Sequence, residues 1–161
     1  MAVDMFIKID GIKGESKDSK HKGEIDVLAW SWGLSNSGTF HMGGGGGAGK
    51  ASMQDLSFTK YVDAGSADLQ LSCATGKHIA KANLVVRKAG DKPLEYILIE
   101  LTECLITSVS TGGSGGEDRL TENVTINFEE VHFTYWTQDD KTGAKGESSE
   151  FKYNIAENTK K

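Results

Sequence analysis

Cysteine is scarce in this chain: Cys73 and Cys104 are the only two among 161 residues. They lack C-x-x-C spacing, and one pair makes no disulfide framework, so they read as buried thiols of a reducing compartment. Proline is scarcer still, with Pro93 alone. Long apolar runs are missing. No stretch approaches the roughly 20 apolar residues of a membrane helix, which predicts no membrane insertion. The N-terminus, MAVDMFIKID, carries Asp4 and Asp10 and lacks the apolar core of a signal peptide. The expectation is a protein made in the cytoplasm that leaves the cell, if at all, without a cleaved signal. A basic excess is also missing. The net charge is -5 with both signs interspersed, which excludes a nucleic-acid surface. The lysine-rich stretch at residues 17–22 also holds Asp18 and reads as a solvated loop.

Catalytic groupings are equally scarce. His21, His41, His78 and His132 are scattered, without metal-ligand spacing. His132 falls on the polar face of a strand and the others in loops, so all four read as surface histidines. The acid doublets Glu117-Asp118, Glu129-Glu130 and Asp139-Asp140 are not acid–base pairs, because neighbours on a strand point to opposite faces. No G-x-S-x-G elbow occurs. The chain is expected to be no enzyme, with no metal and no cofactor.

Glycine, in contrast, is abundant, at 20 residues. The segment His41 to Lys50, HMGGGGGAGK, stops one residue short of the phosphate-binding pattern G-x-x-x-x-G-K-[ST]. Ala51 stands where a magnesium-holding Ser or Thr belongs, and Ser52 comes one place late. A phosphate loop opens a helix, whose N-terminus supplies amide donors. Here residues 55–61, DLSFTKY, alternate polar with apolar and read as a strand. The loop is therefore read as a long glycine linker, and a nucleotide-binding enzyme is kept only as an alternative.

Strand signals dominate the rest. Residues 3–9 form the first, with Met5, Ile7 and Ile9 on one face. Residues 25–32 form the second. One of its faces is Ile25, Val27, Ala29 and Ser31; the other carries Trp30 and Trp32, read as core. Further strands are expected at 56–61, 80–88, 94–109, 120–136 and around Phe151, Tyr153 and Ile155. One short helix follows Ser66 as its cap, with Leu69 and Cys73 four apart and Gly76 after its end. In the strand 120–136 the apolar phase slips at Glu129-Glu130, which predicts a β-bulge there. Many short strands with one helix imply a single domain, residues 1–161, built as an antiparallel sandwich or barrel.

The segment 108–124, SVSTGGSGGEDRLTENV, joins residues 25–33, IDVLAWSWG, the HMGGGGGAGK loop and DLSFTKY in a resemblance covering nearly the whole chain. Together they closely resemble the haemolysin-coregulated protein family, the inner-tube proteins of bacterial type VI secretion systems. The resemblance implies a mainly β fold: a tight antiparallel β-barrel of two sheets with one short flanking α-helix, assembling as a hexameric ring. Rings would stack into a tube inside a sheath, beneath a spike, and bind effector proteins in the channel. The implied partners are therefore the chain itself, sheath and spike proteins, and effectors. Within that reading, Ala29 and Ser31 are candidates for the channel wall. Met42, Gly43, Gly44, Gly45, Gly46, Gly47, Gly49 and Lys50 form a candidate arm between subunits or rings. Gly90 and Asp91, in the turn at 89–93, are rim candidates, as is the C-terminal tail. A monomeric β-barrel that binds small ligands is the remaining alternative.

Overall fold

A computed structural model describes residues 2–38, 48–90, 92–139 and 141–160. The strands are β1 (Val3–Ile9), β2 (Ile25–Asp26), β3 (Ala29–Ser31), β4 (Leu34–Gly38), β5 (Ala48–Met53), β6 (Leu56–Tyr61), β7 (His78–Lys88), β8 (Leu94–Gly112), β9 (Thr121–Gln138), β10 (Lys145–Asn154) and β11 (Thr159–Lys160). One helix, α1 (Ser66–Thr75), lies between β6 and β7. Nine strands form one connected antiparallel network, and β4 with β5 forms a separate two-stranded sheet.

The network closes on itself. Pairing runs from β1 through β7, β8 and β9 to β6, and from β6 to β3. The stretch joining β2 to β3 completes the circuit. Ile25 pairs with Ile7 of β1, while Ala29 pairs with Thr59 of β6. Between them, Val27 N–H donates to the Met5 carbonyl at 2.9 Å and Leu28 N–H to the Thr59 carbonyl at 2.8 Å. Closure satisfies backbone groups that an open sheet would leave at its edge.

That hand-over divides the strand expected at 25–32. Ile25 and Val27 point inward, but Leu28 and Ala29 are both exposed, and the inward phase resumes at Trp30. Ala29 and Ser31 therefore do not share a face with Ile25 and Val27. The change of partner strand between Val27 and Leu28 resets the alternation.

The barrel interior is filled by Ile7, Ile25, Leu56, Phe58, Leu84, Ile99, Leu101, Ile106 and Ile126, each at most 2% exposed. Each such side chain contributes about 1.5–3 kcal/mol relative to an exposed one. Trp30 and Trp32 pack against this core, and the Trp32 ring lies 6.4–6.5 Å from those of Phe128, Phe133 and Phe151.

The bulge expected at Glu129-Glu130 takes another form. Leu101 pairs with Val131 and Cys104 with Phe128, all four of them buried, without a register shift. Both strands turn over together at this level, β9 at Glu129-Glu130 and β8 at Thr102-Glu103. Glu103 has φ 57°, a left-handed conformation uncommon for a residue with a side chain. A concerted turn keeps the register that a bulge in one strand would break. The shift between β8 and β9 lies instead between Ile106 and Ser108.

Helix α1 rests on β8. Its N-cap is Gly65, with no side-chain cap, so Ser66 is not the cap the sequence pattern predicts. A Cβ at Gly65 would lie 2.7 Å from the Lys13 carbonyl oxygen, so this close approach requires glycine. Gly76, at φ 65°, ends the helix in the left-handed conformation.

Candidate functional site

The barrel presents two chemically different outer faces. Across β3, β6, β9 and β8 the register lines up Ser31, Ser57, Thr125 and Ser108 in one row. Ala29, Thr59, Asn123 and Ser110 form the next row. Every member is small, uncharged and at least partly exposed. Thr59 Oγ1 donates to Asn123 Oδ1 at 2.6 Å, and the Ser108 and Thr125 hydroxyls meet at 2.6 Å. In a chain with one quarter charged residues, two rows without a charge are a compositional exception, and they are bounded by Asp55, which accepts from Thr107 at 2.7 Å and from Asn127 at 2.9 Å. The opposite face, over β7, β8, β9 and β10, is a ladder of charges. His132 sits there between Glu100, at 2.8 Å, and Glu150, at 3.4 Å, with Lys81 and Lys152 on the same surface.

A hairpin, β4–β5, leaves the barrel just after Ser31. All residues of β4 are exposed, including Leu34 at 48%. Among the described residues its strands pair only with one another, which leaves the outer edges of the described hairpin open. Lys50 lies on β5, directly after Gly49, whose backbone passes so close to Ser37 that a Cβ would meet Ser37 Oγ. Lys50 thus sits in an antiparallel strand rather than at a helix N-terminus, which removes the geometry a phosphate loop needs. Met42, Gly43, Gly44, Gly45, Gly46 and Gly47 lie outside the described residues, as does Asp91. Gly90 follows the end of β7 with φ 142°.

Beneath the neutral face a charge cluster is sealed in the barrel. Lys60 and Glu122 are both 0% exposed and form an ion pair. Lys60 also pairs with Asp63 at 2.9 Å. Ser66 Oγ donates to Glu122 Oε1 at 2.6 Å and Thr111 Oγ1 to Oε2 at 2.9 Å. Burial would raise the Glu122 pKa, but the hydrogen bonds from Lys60, Ser66 and Thr111 outweigh it and hold it below the usual range. Since Ser66 begins α1, the cluster ties the helix to β6 and β9.

A second tie fastens the strap between β1 and β2. His21, read from the sequence as a surface residue, is 7% exposed and stacked on Phe6 at 4.5 Å. Its ring nitrogens meet Glu24 at 2.9 Å and Glu95 at 2.8 Å. Arg87 grips Asp18 and holds that carboxyl down at about 2. Of the remaining histidines, His78 starts β7 and His41 lies outside the described residues. Cys104 is buried, and its pKa is pushed up to about 12, mainly by desolvation. Cys73 is only half-buried, contrary to the expectation of two buried thiols.

None of these groups forms a reaction centre. The charged ones are paired as struts, and among the described residues no cluster of His, Cys, Asp or Glu is arranged to hold a metal. What the fold displays is surface: a neutral wall, a charged wall and a projecting hairpin. Residues 6–135 match the family described as "Type VI secretion system effector, Hcp". The chain belongs to the Hcp family. It is 57% identical to protein hcp1 of Pseudomonas aeruginosa over 98% of each chain. The crystal structure of Hcp1 from Salmonella typhimurium superposes with a TM-score of 0.81 at 37% identity, covering 100% of both chains. A solved type six secretion system protein superposes with a TM-score of 0.91 at 34% identity, covering 99% of this chain and 100% of that one. As an Hcp protein, the chain is a secreted, structural part of the secretion system and not an enzyme. Among the described residues no helix is long and apolar enough to cross a membrane.

The sequence reading missed the partners of Ala29 and Ser31 on β6, β9 and β8, because cross-strand register is not visible in one strand. It also missed Lys60 and Glu122. Their signal was present, since both fall on apolar-phase positions, next to Phe58 and Val124.

Proposed function

We propose that this Hcp protein is a tube subunit whose hexameric rings stack and carry effector proteins in a central channel. The observation that carries the reading is the division of the barrel into a neutral, small-residue wall and a charged one. A channel wall that holds and then releases varied protein cargo must avoid strong fixed charges, which would bind some cargo too tightly and repel other cargo. Ala29 and Ser31, with their row partners, are assigned to that wall. The open-edged β4–β5 hairpin, with the glycine segment through Gly43 to Gly47, serves as an arm to a neighbouring subunit or ring, where unpaired backbone groups find partners. Gly90 and Asp91 belong to the rim. Sheath, spike and effector proteins are the further partners, and export proceeds without a cleaved signal from the cytoplasm.

Deleting residues 43–47 tests the arm. The expected result is a folded barrel that no longer assembles into tubes. Normal tubes and normal secretion from the deletion variant would refute the role.

A further inference from the structure

Four lysines border one continuous groove beside α1. Two depressions, of about 470 and about 190 Å³, share Gly11 and Ile12. Lys8, Lys13 and Lys22 line the larger and Lys77 the smaller, next to Leu71 of α1, which is 63% exposed. Among the described residues none of these lysines forms an ion pair. The nearby Glu24 is committed to His21. Asp68 lines the smaller depression, so four lysines face two acids, Asp68 and Glu24, and the groove keeps a positive excess on a chain of net charge -5. With Leu71 and Ile12 they form a surface suited to an acidic segment bearing an apolar anchor.

The same chain carries such a segment elsewhere. Residues 111–120 are exposed throughout. Glu117 and Asp118 stand together there, followed after one residue by Leu120, 45% exposed. The local cation, Arg119, is stacked over the Tyr61 ring at 3.8 Å. Val62, 38% exposed, lies alongside and donates its N–H to the Leu120 carbonyl at 2.9 Å. Within one copy, neither acid forms an ion pair with the groove lysines among the described residues.

We propose that the lysine-bordered groove of one subunit receives the acidic glycine loop, with Glu117, Asp118 and Leu120, of a neighbouring copy of this chain. The proposal rests on the ring reading above. A ring is built from heterologous contacts, in which two different patches of the same chain meet. Here the patches are opposite in charge, and each includes an exposed leucine, Leu71 and Leu120. Charge complementarity of this kind sets register and excludes the like-to-like pairing that would prevent ring closure.

The test uses the assembled full-length protein. Rings formed from a mixture of isotopically heavy and light chains are treated with a zero-length carbodiimide and mapped by mass spectrometry. Heavy-to-light links from Lys13 or Lys22 to Glu117 or Asp118 are expected. The exposed double variants Lys13→Glu/Lys22→Glu and Glu117→Lys/Asp118→Lys should each weaken assembly at low salt by roughly tenfold or more. Mixed in equal amounts, the two should recover at the junctions where reversed faces meet. A four-substitution chain carrying both reversals should regain the wild-type ring fraction. Intact rings without these links and insensitive to either reversal would overturn the docking while leaving the ring reading standing. Sensitivity to the lysine reversal alone, without effect of the acidic one, would overturn this occupant of the groove. A wild-type chain that stays monomeric would overturn both.

Discussion

Replacing Lys60 by Met should be among the most destabilising single changes in the barrel. Lys60 is 0% exposed and is the cation facing Glu122, also 0% exposed, and Asp63, whose side chain is 8% exposed. Methionine fills much of the same volume, so the loss is chiefly electrostatic. Removing one partner of a buried pair leaves an uncompensated buried charge and typically costs about 3–5 kcal/mol. Two circumstances set this site within that range. Ser66 and Thr111 still donate to Glu122, at 2.6 and 2.9 Å, which limits the loss. Asp63 also loses its cation, at 2.9 Å, and keeps the Gly65 N–H, at 2.9 Å, which adds a smaller cost. A net loss of about 3 kcal/mol is expected, readable as a lower denaturant midpoint at constant slope. Adding Glu122→Gln should restore roughly half, because it removes the stranded charge while the amide oxygen still accepts from one of the two hydroxyls and the amide nitrogen donates to the other. Helix α1 is tied through Ser66, so hydrogen exchange in α1 should accelerate before exchange in β7 and β8. A loss under about 1 kcal/mol, within the range of exposed ion pairs, would refute the claim that the cluster is sealed from water.

The Asp18 carboxyl, held at about 2 by Arg87, and Glu122, also lowered, bind protons less readily when folded than when unfolded. Their stabilisation is therefore present above the ordinary carboxylate range of about 4 and is lost as pH falls toward about 2. Acid titration by circular dichroism should show this loss, and Asp18→Asn should flatten it. Ser31→Gln, on the exposed neutral wall, should leave the ring intact and reduce effector co-purification several-fold by filling the wall with a longer side chain; unchanged co-purification would remove Ser31 from the channel. Cys104, with its pKa at about 12, should resist thiol reagents at pH 8 until the barrel unfolds, while half-buried Cys73 reacts first.

The barrel itself was readable because its strands alternate. Val3–Ile9 and Leu56–Tyr61 coincide with the observed β1 and β6, and the helix lies where Leu69, Cys73 and Gly76 place it. The failures share a cause, which is that phase was read one strand at a time. At Val27-Leu28 the chain changes partner strand, and at Thr102-Glu103 and Glu129-Glu130 two strands turn over together. Such events depend on neighbours that are distant in sequence. The same limit explains Lys60 and Glu122, whose charges make sense at apolar-phase positions only once β6 and β9 are paired. It explains His21 as well, since Phe6 and Glu95 bury it from other elements. Ala29 and Ser31 were singled out for being small, and the register then supplied the neutral wall around them.

Imaging the native assembly by electron cryomicroscopy tests the central claim most directly. Six subunits around an open channel are expected, with the rows through Ala29 and Ser31 on its inner wall and the His132 face outside. A monomer, or a ring with the charged face lining the hole, would contradict that claim.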